Sequence, residues 1–209
     1  MRLTHLASPA ALLLLAAGPQ AVLVVAKPSP IVPRDDAVST GAMGNMTWEG
    51  ELEPGKGKVT LTGPTFENIE QQARQLNETY SIFNFNRPHA EMAKFAEAEA
   101  APAGVRSHDC MRYKLPIARI PWILDSAETL RRAGGTCTLT GKLCTRAACQ
   151  WGSGIFWCND NVGTLAVPCA TIGERAIYLE ERCTNNVHFM QGSVTDDWNW
   201  RTIVHGDNC

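Results

Sequence analysis

Four groups of side chains in this sequence are of types that move protons or hold anions: His108 with Asp109, His188 with Glu174 and Arg175, Asp196 with Asp197, and His205 with Asp207. Hydrolysis of a phosphodiester needs a general base and acid, commonly His or Glu, and a cation to meet the developing charge. Spacing along the chain fixes no distance between these groups. No GxSxG, HExxH, phosphate-loop or dinucleotide fingerprint accompanies them, which removes the commonest hydrolase and nucleotide chemistries. No catalytic residue is therefore assigned, and a secreted ribonuclease-like hydrolase is kept as the alternative reading.

The residues whose spacing says most are the eight cysteines: Cys110, Cys137, Cys144, Cys149, Cys158, Cys169, Cys183 and Cys209. All lie in the last 100 residues, and the first 109 have none. An even set concentrated in about 100 residues reads as a disulfide framework, because a core of that size is marginal and cross-links restrict its unfolded chain. It also leaves no thiol over to act as a nucleophile. A zinc site would need close CxxC pairs and helical His pairs, and these are lacking, so no metal and no cofactor is expected. Charge excludes another class. Basic and acidic residues number 19 and 21, and from Ser107 onward ten and ten, so no basic face for nucleic acid is expected.

Ahead of the cysteines the chain changes character several times. Met1, Arg2 and an apolar run to Leu15, then Val24, Val25 and Ala26, have the form of a signal peptide over residues 1–26, which implies a secreted, extracellular protein. Pro9, Pro19 and Gln20 interrupt the run, and no later stretch reaches about 20 apolar residues, so no membrane anchor is expected. Residues 27–43 are rich in proline, small and charged residues and read as a flexible segment, with Arg34 a trimming point. In residues 44–80, Thr47–Leu52 and Lys58–Thr62 flank Pro54–Gly57 as a hairpin, and Phe66, Ile69, Ala73 and Leu76 recur at helical spacing after a Thr65 N-cap. A hairpin and one helix make little core, so this part either docks on the cysteine domain or is a pro-segment, and is assigned as the latter. It holds two N-glycosylation sequons, at Asn45 and Asn77. Residues 81–106 read as a linker, with Arg106 a second trimming point.

Residues 107–209 form the domain that positions the candidate groups. His108–Tyr113 is expected as a first strand, and a helix opens on an Asp125–Glu128 capping box and stops at Gly134. Strands follow at about Thr136–Leu143 and Ser153–Cys158, the second buried and central, with a turn at Asn159–Asn161. After Pro168 at a helix start, Cys169, Ile172, Ala176, Leu179 and Cys183 share one face, and Val187–Gln191 and Trp200–His205 close the order. Strand, helix, strand, strand, helix, strand is the split βαβ, ferredoxin-like arrangement of a small disulfide-rich α+β sandwich. Cys169 and Cys183, 14 residues apart on one helix, are separated by about 21 Å and cannot pair, so each should staple the helix to a different place. Cys209 should close a long loop back to the domain. Trp198 and Trp200, at period two, would share one strand face and are candidate binding residues if that face is exposed.

Gly154–Asn161 (GIFWCNDN), the cysteine-bounded helix ending at Cys183, and the closing Gln191-Gly192, Trp198-Asn199 and Ile203-Val204 pairs resemble fungal small secreted cysteine-rich proteins, including killer-toxin-like candidate effectors. The resemblance spans about residues 108–209, and the front hairpin and helix resemble the pro-regions of such proteins. It implies an αβ-sandwich, export, and virulence-related action by binding a protein or cell-surface target on a host or competitor, with no enzymatic step. Inhibition of extracellular enzymes is the further alternative.

Overall fold

The structure, a computed structural model, describes residues 42–83, 104–110, 115–184 and 188–209. The expected signal peptide, nearly all of segment 27–43, most of linker 81–106 and the end of the expected first strand lie outside the described residues. It is a mixed α+β protein with three helices, three sheets and four disulfides among those residues.

After a two-residue strand β1 (Ala42–Met43), the front hairpin forms as its pattern demands. In β2 (Met46–Glu51) Met46, Trp48 and Gly50 face the core, while β3 (Lys58–Gly63) returns after Gly55 and Gly57, whose φ values of 77° and 88° suit glycine. Helix α1 (Phe66–Leu76) is capped by Thr65, whose Oγ1 accepts the Asn68 N–H at 3.3 Å, and buries Phe66, Ile69 and Ala73. This unit does not stand in front of the cysteine domain. Strand β2 lies between β3 and β6 (Thr136–Leu139), and β9 (Leu165–Pro168) completes a four-stranded sheet in the order β3-β2-β6-β9. Trp48 is 0% exposed and its Nε1 donates to the Gly134 carbonyl at 2.8 Å. Burying such a side chain contributes about 2–3 kcal/mol, and the hairpin is docked on the disulfide-bonded part.

The second sheet is built around β8 (Ser153–Asn159), where all seven residues are buried, as the apolar run at Gly154–Trp157 implies. Its order is β1-β7-β8-β12-β11-β4, with β7 at Leu143–Gln150, β12 at Trp200–Gly206, β11 at Gly192–Asp196 and β4 at Val105–Asp109. All pairs are antiparallel except β1 with β7. Strands β8 and β11 therefore run parallel, connected through helix α3 (Cys169–Cys183), with β12 inserted between them. The ferredoxin-like order is corrected: the inserted strand is the C-terminal one rather than the first, and β4 is displaced to the sheet edge, because β11 and β12 form a hairpin that fills the gap. The strand expected at Val187–Gln191 is likewise replaced by the pair of β10 (Phe189–Met190) with β5 (Ala118–Arg119), beside β11.

Two further boundaries differ from expectation. Helix α2 (Ile120–Arg131) starts five residues before Asp125, since Pro121 sits in its first turn, where a missing N–H is harmless, and no capping box forms. Its packing on α3 is close: a Cβ on Gly173 would come within 2.5 Å of the Ala127 carbonyl oxygen. The expected strand Thr136–Leu143 is two strands, broken at Gly141 and Lys142 (φ 62°).

The helices cover one sheet face, where Ile155, Trp157, Val194 and Val204 join Ile123, Leu130, Ile172 and Leu179 in the main core. A smaller cluster of Phe156, Ile203 and the Cys144–Cys158 disulfide occupies the other face. Cys169 bonds to Cys137 of the four-stranded sheet and Cys183 to Cys110 beside β4, so the two ends of α3 are stapled to different sheets, as helical geometry requires. Cys149–Cys209 closes the C-terminus on β7.

Candidate functional site

Trp198 is an exposed aromatic beside a buried ion pair, in the turn Asp197–Asn199 that joins β11 to β12. A turn is forced there because Asn199 adopts the left-handed region, φ 56°, which asparagine tolerates better than most residues. Trp198 is 66% exposed, whereas Trp200, the first residue of β12, is 2% exposed. The expectation that the two indoles share a strand face is thus corrected: the turn separates them, and only Trp198 faces solvent. Trp200 packs in the core under the Arg175 guanidinium, 5.8 Å from its ring centroid.

The turn is fastened from several sides. Asp196 accepts from Arg175 Nη2 at 2.7 Å and Nε at 3.2 Å through one carboxylate oxygen, and from the Trp198 N–H at 3.2 Å through the other. Both partners of this ion pair are buried, so the charges are held by mutual hydrogen bonds and loss of either would leave the other unmatched. The Asn161 side-chain amide donates to the Trp198 carbonyl at 2.9 Å, the Asp197 N–H to Gly104 O at 2.7 Å, and the Asp160 N–H to Asn199 O at 3.1 Å. Arg201 grips Asp160 with two hydrogen bonds of 2.6 and 2.9 Å. The loop after β8 is itself organised by Asn159, whose amide donates to Leu139 O and Gly163 O and whose Oδ1 accepts from the Asn161 N–H. Val162, in that loop, is 88% exposed. Trp198 and Val162 thus stand on two neighbouring turns that are locked together by side-chain and main-chain hydrogen bonds.

The proton-moving candidates are dispersed. His108, on edge strand β4, meets the Tyr178 hydroxyl at 3.3 Å with its ring edge-on to that phenol, and Asp109 follows it on the same strand. His188 is exposed and engaged through its carbonyl, which accepts the Ile120 N–H. Arg175, considered beside Glu174 as a partner for His188, points instead to Asp196. His205 and Asp207 do lie in one groove, with Arg146, whose Nη1 donates to Asp207 Oδ2 at 3.1 Å. There the imidazole is stacked on Phe156 and bonded through Nδ1 to Gly206 O, so neither ring nitrogen meets the carboxylate.

All eight cysteines are in disulfides, and among the described residues no group of three or more His, Cys, Asp or Glu side chains is arranged to hold a metal. Asn45 is exposed between β1 and β2, whereas Asn77 ends α1 with its amide on Leu52 O and its Oδ1 accepting from the Thr79 N–H and hydroxyl. Sequence reasoning did not single out Asp160, Asn161, Val162 or Arg146. The Asn159–Asn161 turn signal was present, but its contact with Trp198 is made 37 residues away along the chain. No family model, curated protein or solved structure matches this chain.

Proposed function

We propose that this is a secreted, disulfide-stapled binding protein, of the effector or toxin-like kind, that engages a target on a host or competitor cell through Trp198. The observation that carries this reading is the exposed indole on an immobilised turn. Tryptophan is favoured at binding hot spots, and a side chain presented on a rigid backbone loses little conformational freedom on association. The four disulfides support work outside the cell. Absence of any helix apolar and long enough to cross a membrane, among the described residues, fits a protein without a helical anchor. Action by binding rather than hydrolysis is supported by the dispersal of His108, His188 and His205 over separate sites. The front hairpin and helix stay with the working protein on this reading, because their removal would take Trp48 out of the core and leave an edge of β6 unpaired.

The test is binding of the labelled full-length secreted protein to intact host and competitor cells. Trp198→Ala should weaken binding at least about 30-fold, the equivalent of a hot-spot loss of about 2 kcal/mol. Trp151→Ala, an equally exposed indole on the β7–β8 turn at the other end of β8, should leave it unchanged. Equal binding by the Trp198→Ala variant and the parent protein, or no cell binding at all, would overturn the proposal.

A further inference from the structure

The sheet face turned away from α2 and α3 carries a groove of about 400 Å³, within the range of small-molecule sites. Arg146, Phe156, His205 and Asp207 form its floor and one side, and Pro64 and Thr65, at the start of α1, the other. We propose that this groove binds a small hydroxy acid bearing an apolar group, its carboxylate on Arg146 in place of Asp207 and its hydroxyl donating to His205 Nε2.

The imidazole carries the argument. His205 is only 7% exposed, and its ring lies flat on that of Phe156, with centroids 4.4 Å apart. Its Nδ1 is 2.7 Å from the Gly206 carbonyl oxygen, which can only accept, so Nδ1 holds the proton. In that tautomer Nε2 is an acceptor, and it is enclosed without a hydrogen-bond partner. A buried polar atom left unmatched costs about 1–3 kcal/mol, and a ligand hydroxyl removes that deficit. A bare carboxylate cannot.

Arg146 supplies the second contact. It lies directly across the β7–β8 ladder from Phe156, so its guanidinium rises beside the Phe156–His205 stack. Its Nη1 bonds Asp207 Oδ2 at 3.1 Å and Asn208 O at 3.3 Å, and both side chains of the ion pair remain about one-third exposed, at 34% and 29%. An ion pair that open to water contributes at most about 1 kcal/mol, so a ligand carboxylate exchanges for Asp207 with little loss. Asp207 lines the same groove as the Phe156–His205 stack, so a ligand that takes its place on Arg146 enters beside His205, while the Cys149–Cys209 bridge keeps the tail in place. Arg146 on β7 and His205 on β12 flank β8 and line the same groove, and Phe156 and Pro64 offer an apolar wall for the rest of the molecule.

The probes are 3-phenyllactate, 3-phenylpropionate, which lacks the hydroxyl, and inorganic phosphate, added to the full-length oxidised protein. Binding is followed by calorimetry and by the ¹⁵N shift of His205 Nε2. Phenyllactate should bind and move the Nε2 resonance, with phenylpropionate and phosphate at least about fivefold weaker. Arg146→Gln should abolish binding. His205→Phe, which keeps the ring stack, should reduce phenyllactate to the level of phenylpropionate. Equal affinity for the two acids, phosphate binding as tightly as phenyllactate, or no shift at Nε2 in the unsubstituted protein would overturn the assignment. The last measurement needs no variant, so misfolding of one leaves the question decidable.

Discussion

Replacing Trp48 by alanine tests whether the front hairpin and the disulfide-bonded part are one cooperative unit. The indole is fully buried, packs at 6.3 Å from the Tyr80 ring, and lies in register with Cys137 across the β2–β6 ladder. It fills a space shaped by its neighbours: a Cβ on Gly50 would stand 2.3 Å from the indole, and one on Gly135 2.6 Å from its Nε1. Truncating a buried tryptophan costs about 3–5 kcal/mol, and the Gly134 carbonyl loses its donor as well. With a urea dependence of about 2 kcal/mol per molar for a domain of this size, a loss of about 4 kcal/mol lowers the unfolding midpoint by about 2 M. The assay is urea titration of the oxidised protein, followed by the fluorescence of the remaining tryptophans, together with amide exchange of β6 and β9. If the hairpin were only an appended segment, exchange would rise in β2 and β3 while β6, β9 and the midpoint stayed unchanged, and the reasoning would fail.

Gly173→Ala should destabilise by about 1–3 kcal/mol through forced separation of α2 and α3, read as a lower thermal midpoint, and an unaltered midpoint would mean that the helices yield freely. Burial, and secondarily the nearby Glu70 carboxylate, hold the Tyr80 phenol above its usual value. Its neutral form is thus favoured in the folded state, so the stability it contributes is complete below about pH 10 and is lost as pH rises further and the unfolded chain ionises first. Tyr80→Phe should flatten that alkaline decline in denaturation midpoints measured across the range.

The elements legible in the sequence were those whose pattern is local. Strand β8 announced itself as an apolar run, and the buried face of α3 as a helical period ending in two cysteines that cannot reach each other. Strand β7 escaped because Ala147 and Ala148 are poor strand formers and a register shift between Arg146 and Ala148 breaks the alternation. The partnership of β2 with β6 escaped for a different reason. It joins Trp48 in register to Cys137, 89 residues further along the chain, and no local pattern specifies which edge a hairpin will choose. At the candidate site the period-two reading of Trp198 and Trp200 neglected the turn-forming Asp197 and Asn199 beside them. The residues that immobilise the turn, Arg175 and Asn161, come from a helix and a loop distant in sequence, and carried no signal of that role.

The staples and the buried ion pair act on different parts of the same problem. Restricting the unfolded chain, a bridge closing 14 residues contributes about 3 kcal/mol and one closing 73 about 4 in the chain-entropy view, yet neither bond touches the turn that carries Trp198. Cys110–Cys183 instead ties the end of α3 to the chain just beyond β4, which holds that helix against β11. Arg175, two turns earlier on α3, is thereby delivered to Asp196 at the end of β11. Asp196 in turn receives the Trp198 N–H. The bridge fixes the helix, the helix fixes the carboxylate, and the carboxylate fixes the backbone of the exposed indole. An exposed side chain on a hairpin tip would ordinarily be among the most mobile parts of a small domain. Here its order depends on a disulfide at the far end of the helix, so oxidation of Cys110 and Cys183 completes the surface as well as the fold.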